Sequence, residues 1–134
     1  MKKDGRKPLR TAIVKPNNER LYNMSDPRIL KLAKNLVTYS CKVKKGEKVM
    51  IEAFGIPNAL VKALVKETYN AGGYPFVYLR DHAVMRAMLM DCNEEYCNLW
   101  AKYDGFVMDE MDCYIGVRGG ENSCEMGDIP ADKN

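Results

Sequence analysis

The chain has 134 residues, of which 46% are hydrophobic and 29% charged, and its formal net charge is +3. These values lie near the averages for soluble globular domains and exclude a disordered polyelectrolyte or a fibrous protein. A chain of this length buries roughly two-thirds of the surface its unfolded form exposes, which suffices for one hydrophobic core without disulfides.

The charge is unevenly placed. Residues 1–10 carry Lys2, Lys3, Arg6, Lys7 and Arg10 against Asp4, so this head holds +4 and the remainder sums to −1. A basic head on a near-neutral body reads as a solvated tail rather than a phosphate-binding arm, and no nucleic-acid partner is expected. No run of about 18 apolar residues is present to span a bilayer, and MKKDGRKPLR lacks the apolar stretch of a secretion signal. A cytoplasmic chain with no membrane partner is therefore expected. Cys41, Cys92, Cys97, Cys113 and Cys124 are odd in number, irregularly spaced and without a C-x-x-C pair. Reduced, mostly buried thiols fit this pattern better than a disulfide framework or a zinc knuckle.

Residues 1–24 are basic and then polar and read as a partly ordered extension, in which Thr11 to Val14 can form a short edge strand. A helix is predicted from Ser25-Asp26-Pro27, since Ser25 or Asp26 can cap it and Pro27 loses no needed donor in a first turn. Ile29, Leu32, Ala33, Leu36, Val37 and Ser40 then form one stripe ending near Cys41. After the turn at Lys44 to Glu47, the mostly apolar Lys48 to Phe54 predicts a buried strand. Pro57 opens a second helix with Leu60, Ala63, Leu64, Thr68 and Ala71 on one side, closed by Gly72-Gly73. Pro75 to Leu79 predicts the next strand, completing a strand-helix-strand unit whose two strands are parallel.

Asp81 predicts the cap of a short helix reaching Met90, and Asn93 the cap of another carrying Tyr96, Leu99, Trp100 and Tyr103. Gly105 to Asp112 reads as a loop or broken helical stretch. Cys113 to Val117 follows as a third core strand, then Gly119-Gly120 and a last helical turn near Glu121 to Met126. The expected fold is α/β: a small three-layer domain, residues 25–134, around a mostly parallel Rossmann- or flavodoxin-like sheet.

Chemistry is sparse. His82 is the single histidine, which excludes constellations needing a histidine base together with histidine metal ligands. Asp81 and His82 follow a strand and so belong at the carboxyl edge of the sheet, where α/β proteins bind ligands. The loop Gly116 to Glu121 can offer free N–H groups to an anion, although it is neither G-x-G-x-x-G nor a Walker loop. Asp104, Asp109, Glu110 and Asp112 lack ordered ligand spacing and read as a solvated face rather than a cation site. Tyr96, Trp100, Tyr103, Phe106, Met108 and Met111 are residue types found both in cores and at interfaces. No nucleophile, base and oxyanion site assemble, so no residue is assigned to catalysis, to a cofactor or to a metal.

Three blocks carry a family resemblance: ILKLAKNLVTYSCKVKKGEKVMI (Ile29 to Ile51), LVKALVKETYNAGGYPFVYLRD (Leu60 to Asp81) and MDCYIGVRGGENSCEMGDIPADK (Met111 to Lys133). Together, in this order, they resemble the amino-terminal domain of the thermophilic metallopeptidases, the aminopeptidase T-like family. The resemblance implies an α/β domain without catalytic residues, followed in a longer parent by a carboxy-terminal domain. That second domain would bind two divalent metal ions, zinc or cobalt, through glutamate, histidine and aspartate, and would release amino-terminal residues from peptides. None of those ligands can be placed on this sequence, so the chain by itself is expected to be inactive. The implied partners are that catalytic domain, the parent's peptide substrate and a second copy in a homo-oligomer. The alternative reading is a stand-alone α/β module that holds a small anionic ligand between the Gly116 to Gly120 loop and His82.

Overall fold

The Asp26 carboxylate accepts a hydrogen bond from the Arg28 N–H at 2.9 Å, and Pro27 takes the first helical position. Helix α1 (Pro27–Asn35) thus starts at the Asp-Pro signal, because cap and proline together dispose of donors that the first turn leaves unpaired. The computed structural model describes residues 8–14, 26–55 and 58–119; the helix openings expected at Pro57 and near Glu121 to Met126 lie outside them. Beyond Asn35 the helix widens into a π-helical turn, Leu36–Ser40, with the Cys41 N–H bonded to the Leu36 carbonyl at 3.0 Å. Ile29, Ala33, Leu36, Val37 and Cys41 are buried, Leu32 is partly buried, and Ser40 is exposed. The widened turn carries the backbone round so that Cys41, not Ser40, completes the apolar stripe.

Strand β2 (Lys48–Phe54) leads into helix α2 (Asn58–Asn70). This helix ends in a Schellman motif: the Gly72 N–H bonds to the Tyr69 carbonyl and the Gly73 N–H to that of Thr68, each at 2.9 Å. Gly72 has φ +85°, a conformation glycine adopts without steric cost. At Gly73 an added Cβ would lie 2.9 Å from Val43 Cγ1, so close packing rather than conformation demands glycine there. Strand β3 (Tyr74–Arg80) follows at once. Asp81 caps helix α3 (His82–Met90) through the Val84 N–H, and Asn93 caps helix α4 (Glu94–Glu110) through the Tyr96 N–H.

Helix α4 corrects the expectation of a loop over Gly105 to Asp112, since it runs unbroken to Glu110. An exposed mid-helix glycine costs only about 1 kcal/mol relative to alanine. Val107 and Met108, just beyond Gly105, pack against the sheet and offset that cost. Strand β4 (Cys113–Arg118) closes the order, and strand β1 (Arg10–Val14) is the edge strand foreseen near Thr11 to Val14. The sheet therefore has four strands, not three, and takes in part of the segment read as an extension.

All pairings are parallel, in the order β1-β4-β2-β3. The α/β expectation is met, with a wholly parallel sheet. Register pairs Val49, Ile51 and Ala53 with Cys113, Ile115 and Val117 on one face. These six residues, each at most 2% exposed, pack beneath α1 and α2 on Ile29, Val37, Leu60 and Leu64, forming the main core. The opposite face presents Met50 and Tyr114, which the end of α4 covers with Val107 and Met108. One face is thus closed by two helices and the other by one helix end.

The basic head does not remain wholly in solvent. Arg10 donates to Cys113 Sγ at 3.1 Å and pairs with the Glu47 carboxylate, tying β1 to the amino-terminal edge of the sheet. The hydrogen bond with Cys41, aided by Arg10, draws the Cys113 thiol down to about 7, while the same bond and burial push Cys41 up. Asp112, one of the acids weighed as a cation ligand, accepts the Lys48 N–H at 2.9 Å and so clasps the starts of β2 and β4.

Core and rim are energetically distinct. Leu64→Ala, at a wholly buried position, is expected to lower the unfolding free energy by about 2–5 kcal/mol in urea titration. Leu99→Ala, where the side chain is 60% exposed, should change it by no more than about 0.5 kcal/mol.

Candidate functional site

From β2 the chain crosses to β3 on one side, and β4 lies on the other side of β2. That reversal makes a topological switch point, and the crevice outside the carboxyl ends of β2 and β4 is where open parallel sheets hold ligands. Phe54 and Arg118 are register partners at those ends, and the Gly119 N–H bonds to the Phe54 carbonyl at 2.9 Å. His82, delivered by the first turn of α3, stacks on the Phe54 ring with centroids 5.1 Å apart. Its Nε2 lies 3.1 Å from the Gly119 carbonyl oxygen. The Arg118 guanidinium sits 4.6 Å from the same ring centroid.

His82 and the start of the glycine loop, far apart in sequence, are therefore brought together. The loop itself begins later than its composition suggests. Gly116 to Arg118 belong to β4, and at Gly116 an added Cβ would lie 3.0 Å from the Tyr114 side chain, tighter than ordinary packing. Gly120 and Glu121 lie outside the described residues.

Next to this crevice, on the face partly covered by α4, lies a polar cluster that sequence reading missed. Glu52 projects from the middle of β2, where alternation turns it away from the main core. Its carboxylate accepts from Arg80 Nε and from the Tyr114 hydroxyl, each at 2.7 Å, and from Arg118 Nη1 at 3.4 Å. Arg118 Nη2 donates to the Tyr114 oxygen at 2.9 Å. Burial, followed by the hydrogen bond to the Glu52 carboxylate, pushes the Tyr114 phenol up to about 12. A cavity of about 200 Å³ lies beside the cluster, bounded by Tyr78, Asp104, Val107 and Met108. Asp104 approaches Arg80 at 3.9 Å, so two arginines face two carboxylates and the formal charges balance. The signal was available in KVMIEAF: a glutamate inside an apolar strand needs cationic or hydroxyl partners when buried.

The other candidates disperse. Asp81 serves as a helix cap, Glu110 lies 3.6 Å from Lys48 Nζ, and Asp112 binds backbone. Among the described residues no three His, Cys, Asp or Glu side chains converge as metal ligands. The acids present therefore do not fit the two-metal site that the family resemblance implies for a longer parent. Met111 is buried and Met108 partly buried against the sheet, and Trp100 is partly buried on Leu89 and Cys92, so these three contribute to this domain's own packing. Tyr96, Tyr103 and Phe106 remain on the surface.

The Tyr114 shift has a signed consequence. A phenol with a folded-state value near 12 and an ordinary value of 10 holds its proton more tightly when folded. Its contribution to stability is complete below pH 10 and is lost as the pH rises from 10 towards 12. Tyr114→Phe is expected to be less stable at pH 8 but to lose less stability between pH 10 and 12, as read from melting temperatures of both proteins.

No family model matches the chain, and no curated protein matches its sequence. Its structure is similar to that of wild-type AmpT from Thermus thermophilus, an aminopeptidase T, with a TM-score of 0.59 and 22% sequence identity. The match covers 80% of this chain and 28% of that one, so the chain spans less than a third of the length of AmpT. The four-stranded parallel α/β domain is thus similar in fold to one part of AmpT.

Proposed function

We propose that this chain is the amino-terminal, non-catalytic domain of a metal-dependent aminopeptidase, whose full-length form releases amino-terminal residues from peptides. The observation that carries the reading is the likeness to AmpT over 80% of this chain and only 28% of the enzyme. The three sequence blocks support it independently, since they resemble the amino-terminal domain of that family. Two divalent ions would then be held by the partner domain, and this domain's role would be to buttress that domain and shape access to it. The carboxyl edge with His82, Arg118 and the Glu52 cluster is the part of the sheet suited to face it.

The outer side of α4 is the second surface suited to a partner. Tyr96, Leu99, Tyr103 and Phe106 are 39%, 60%, 59% and 68% exposed and recur at three- and four-residue steps, forming one apolar stripe. A stripe of this kind is covered by a neighbouring domain or by a second copy of the chain.

The alternative, a module holding a small anion, draws support from the approach of His82 to Gly119. It is weakened by the Glu52 and Asp104 carboxylates, which together already balance the charge of the nearest arginines, Arg80 and Arg118.

The proposal makes two measurable claims. Purified chain supplemented with zinc or cobalt is expected to release nothing from aminoacyl p-nitroanilides, while its gene is expected to read on past Asn134 into codons for glutamate, histidine and aspartate ligands. Hydrolysis that survives repurification, or a stop codon directly after Asn134, would sink the reading. Sedimentation at high concentration is expected to show self-association that Phe106→Ser weakens without altering the fold, and a strictly monomeric mass would remove the second copy as a partner.

A further inference from the structure

Helices α3 and α4 meet at a short junction where Cys92 precedes the cap residue Asn93 and Cys97 is the fourth residue of α4. A residue before the cap and one at this helical position ordinarily pack as two apolar side chains that set the entry of the chain. Here both are thiols. Their Sγ atoms are 3.1 Å apart, inside the ordinary contact distance of two sulfur atoms, so a bond between them requires little motion. Cys92 is itself buried but lines an open pocket of about 380 Å³ bounded by Ala87, Met88, Asp91, Asn93 and Tyr96, and Cys97 is half-buried, so a reagent can reach the pair through Cys97. Cys41 and Cys113 are wholly buried beneath α1 and its π-helical turn and offer no such access.

We propose that Cys92 and Cys97 form a dithiol–disulfide pair, oxidised by low-molecular-weight disulfides such as glutathione disulfide, that locks the α3–α4 junction. The Cys97 thiolate attacks one sulfur of glutathione disulfide, breaking that bond and releasing one glutathione thiolate. Cys92 gives its proton to solvent and attacks Cys97 Sγ, forming the internal bond and expelling the second glutathione. Two protein thiols become one disulfide, and one glutathione disulfide becomes two thiols, so electrons and atoms balance. In the reduced state the entry of α4 rests on a noncovalent staple; in the oxidised state it is fixed. The lock bears on the opposite sheet face, because α4 supplies Val107 and Met108 to it and Asp104 beside Arg80.

Two features make the test direct. Trypsin cleavage after Arg86 and Lys102 leaves Cys92 and Cys97 in one peptide. Trp100, the single tryptophan, packs on the Leu89–Cys92 cluster and reports its state by fluorescence. The 134-residue chain is equilibrated with mixtures of reduced and oxidised glutathione, quenched in acid, unfolded and alkylated. The expected result is loss of both alkylatable thiols from that peptide with a mass lower by one hydrogen pair. Cys41 and Cys113 should stay alkylatable, and Trp100 emission should change and recover on addition of dithiothreitol. The folded chain should be more readily oxidised than the guanidinium-unfolded chain by about tenfold in equilibrium constant. Cys124→Ser should behave like the unaltered chain, and Cys97→Ser should form no internal bond. A stable glutathione adduct on Cys92 or Cys97 of the unaltered chain overturns the proposal, as does an equilibrium constant no larger than that of the unfolded chain.

Discussion

The structure depends on the parallel pairing of β2 with β3 on one side and with β4 on the other. Parallel strands leave no hairpin option, so every connection must climb over a face of the sheet, and the helices that do so become the cover those faces require. The β2–β4 pair is buried hardest because it lies inside the sheet order, with Val49, Ile51 and Ala53 meeting Cys113, Ile115 and Val117 under α1 and α2. Reversal of the chain about β2 also creates the crevice at the carboxyl edge, so one topological fact produces both the core and the candidate site.

The two faces are unequal, and much of the protein's polar chemistry follows from that. A face closed by two helices accepts only apolar residues, and there the exceptions are Thr68, whose hydroxyl bonds back to the Leu64 carbonyl at 2.8 Å, and the thiols Cys41 and Cys113. The face closed by the end of α4 leaves room for Glu52, Arg80, Arg118 and Tyr114. A carboxylate set that deep is tolerated because three donors surround it; removing one partner would leave an uncompensated charge in a poorly hydrated place. The cluster also couples three strands through side chains, since Glu52 lies on β2, Arg80 on β3, and Tyr114 and Arg118 on β4. Its charge balance is the physical reason to read it as a structural tie between strands rather than as an anion trap.

Likeness in fold carries less than likeness in site. Many unrelated chemistries share doubly wound parallel sheets, so the match to AmpT bears on architecture alone. Three of the four acids that might have suggested a metal are committed elsewhere, Asp104 towards Arg80, Glu110 towards Lys48 and Asp112 to the Lys48 backbone.

Local signals in the sequence determined the elements whose causes are themselves local. Asp26 with Pro27, Asp81 and Asn93 started helices because caps act within one turn, and Gly72-Gly73 ended one because a Schellman motif needs only its own backbone. The apolar run of β2 and the strand-helix-strand unit were legible for the same reason, and with them the α/β class. Three features were decided only by tertiary contact. Gly105 argued for a break in α4, and the helix continues because Val107 and Met108 find Met50 and Tyr114 on the sheet. Arg10 counted as one more charge in a basic tail until the pairing of β1 with β4 set it beside Glu47 and Cys113. Glu52, Arg80, Tyr114 and Arg118 are dispersed over 67 positions and share no spacing; strand register alone brings them together, because parallel pairing aligns residues whose separation in sequence is set by the crossovers between them.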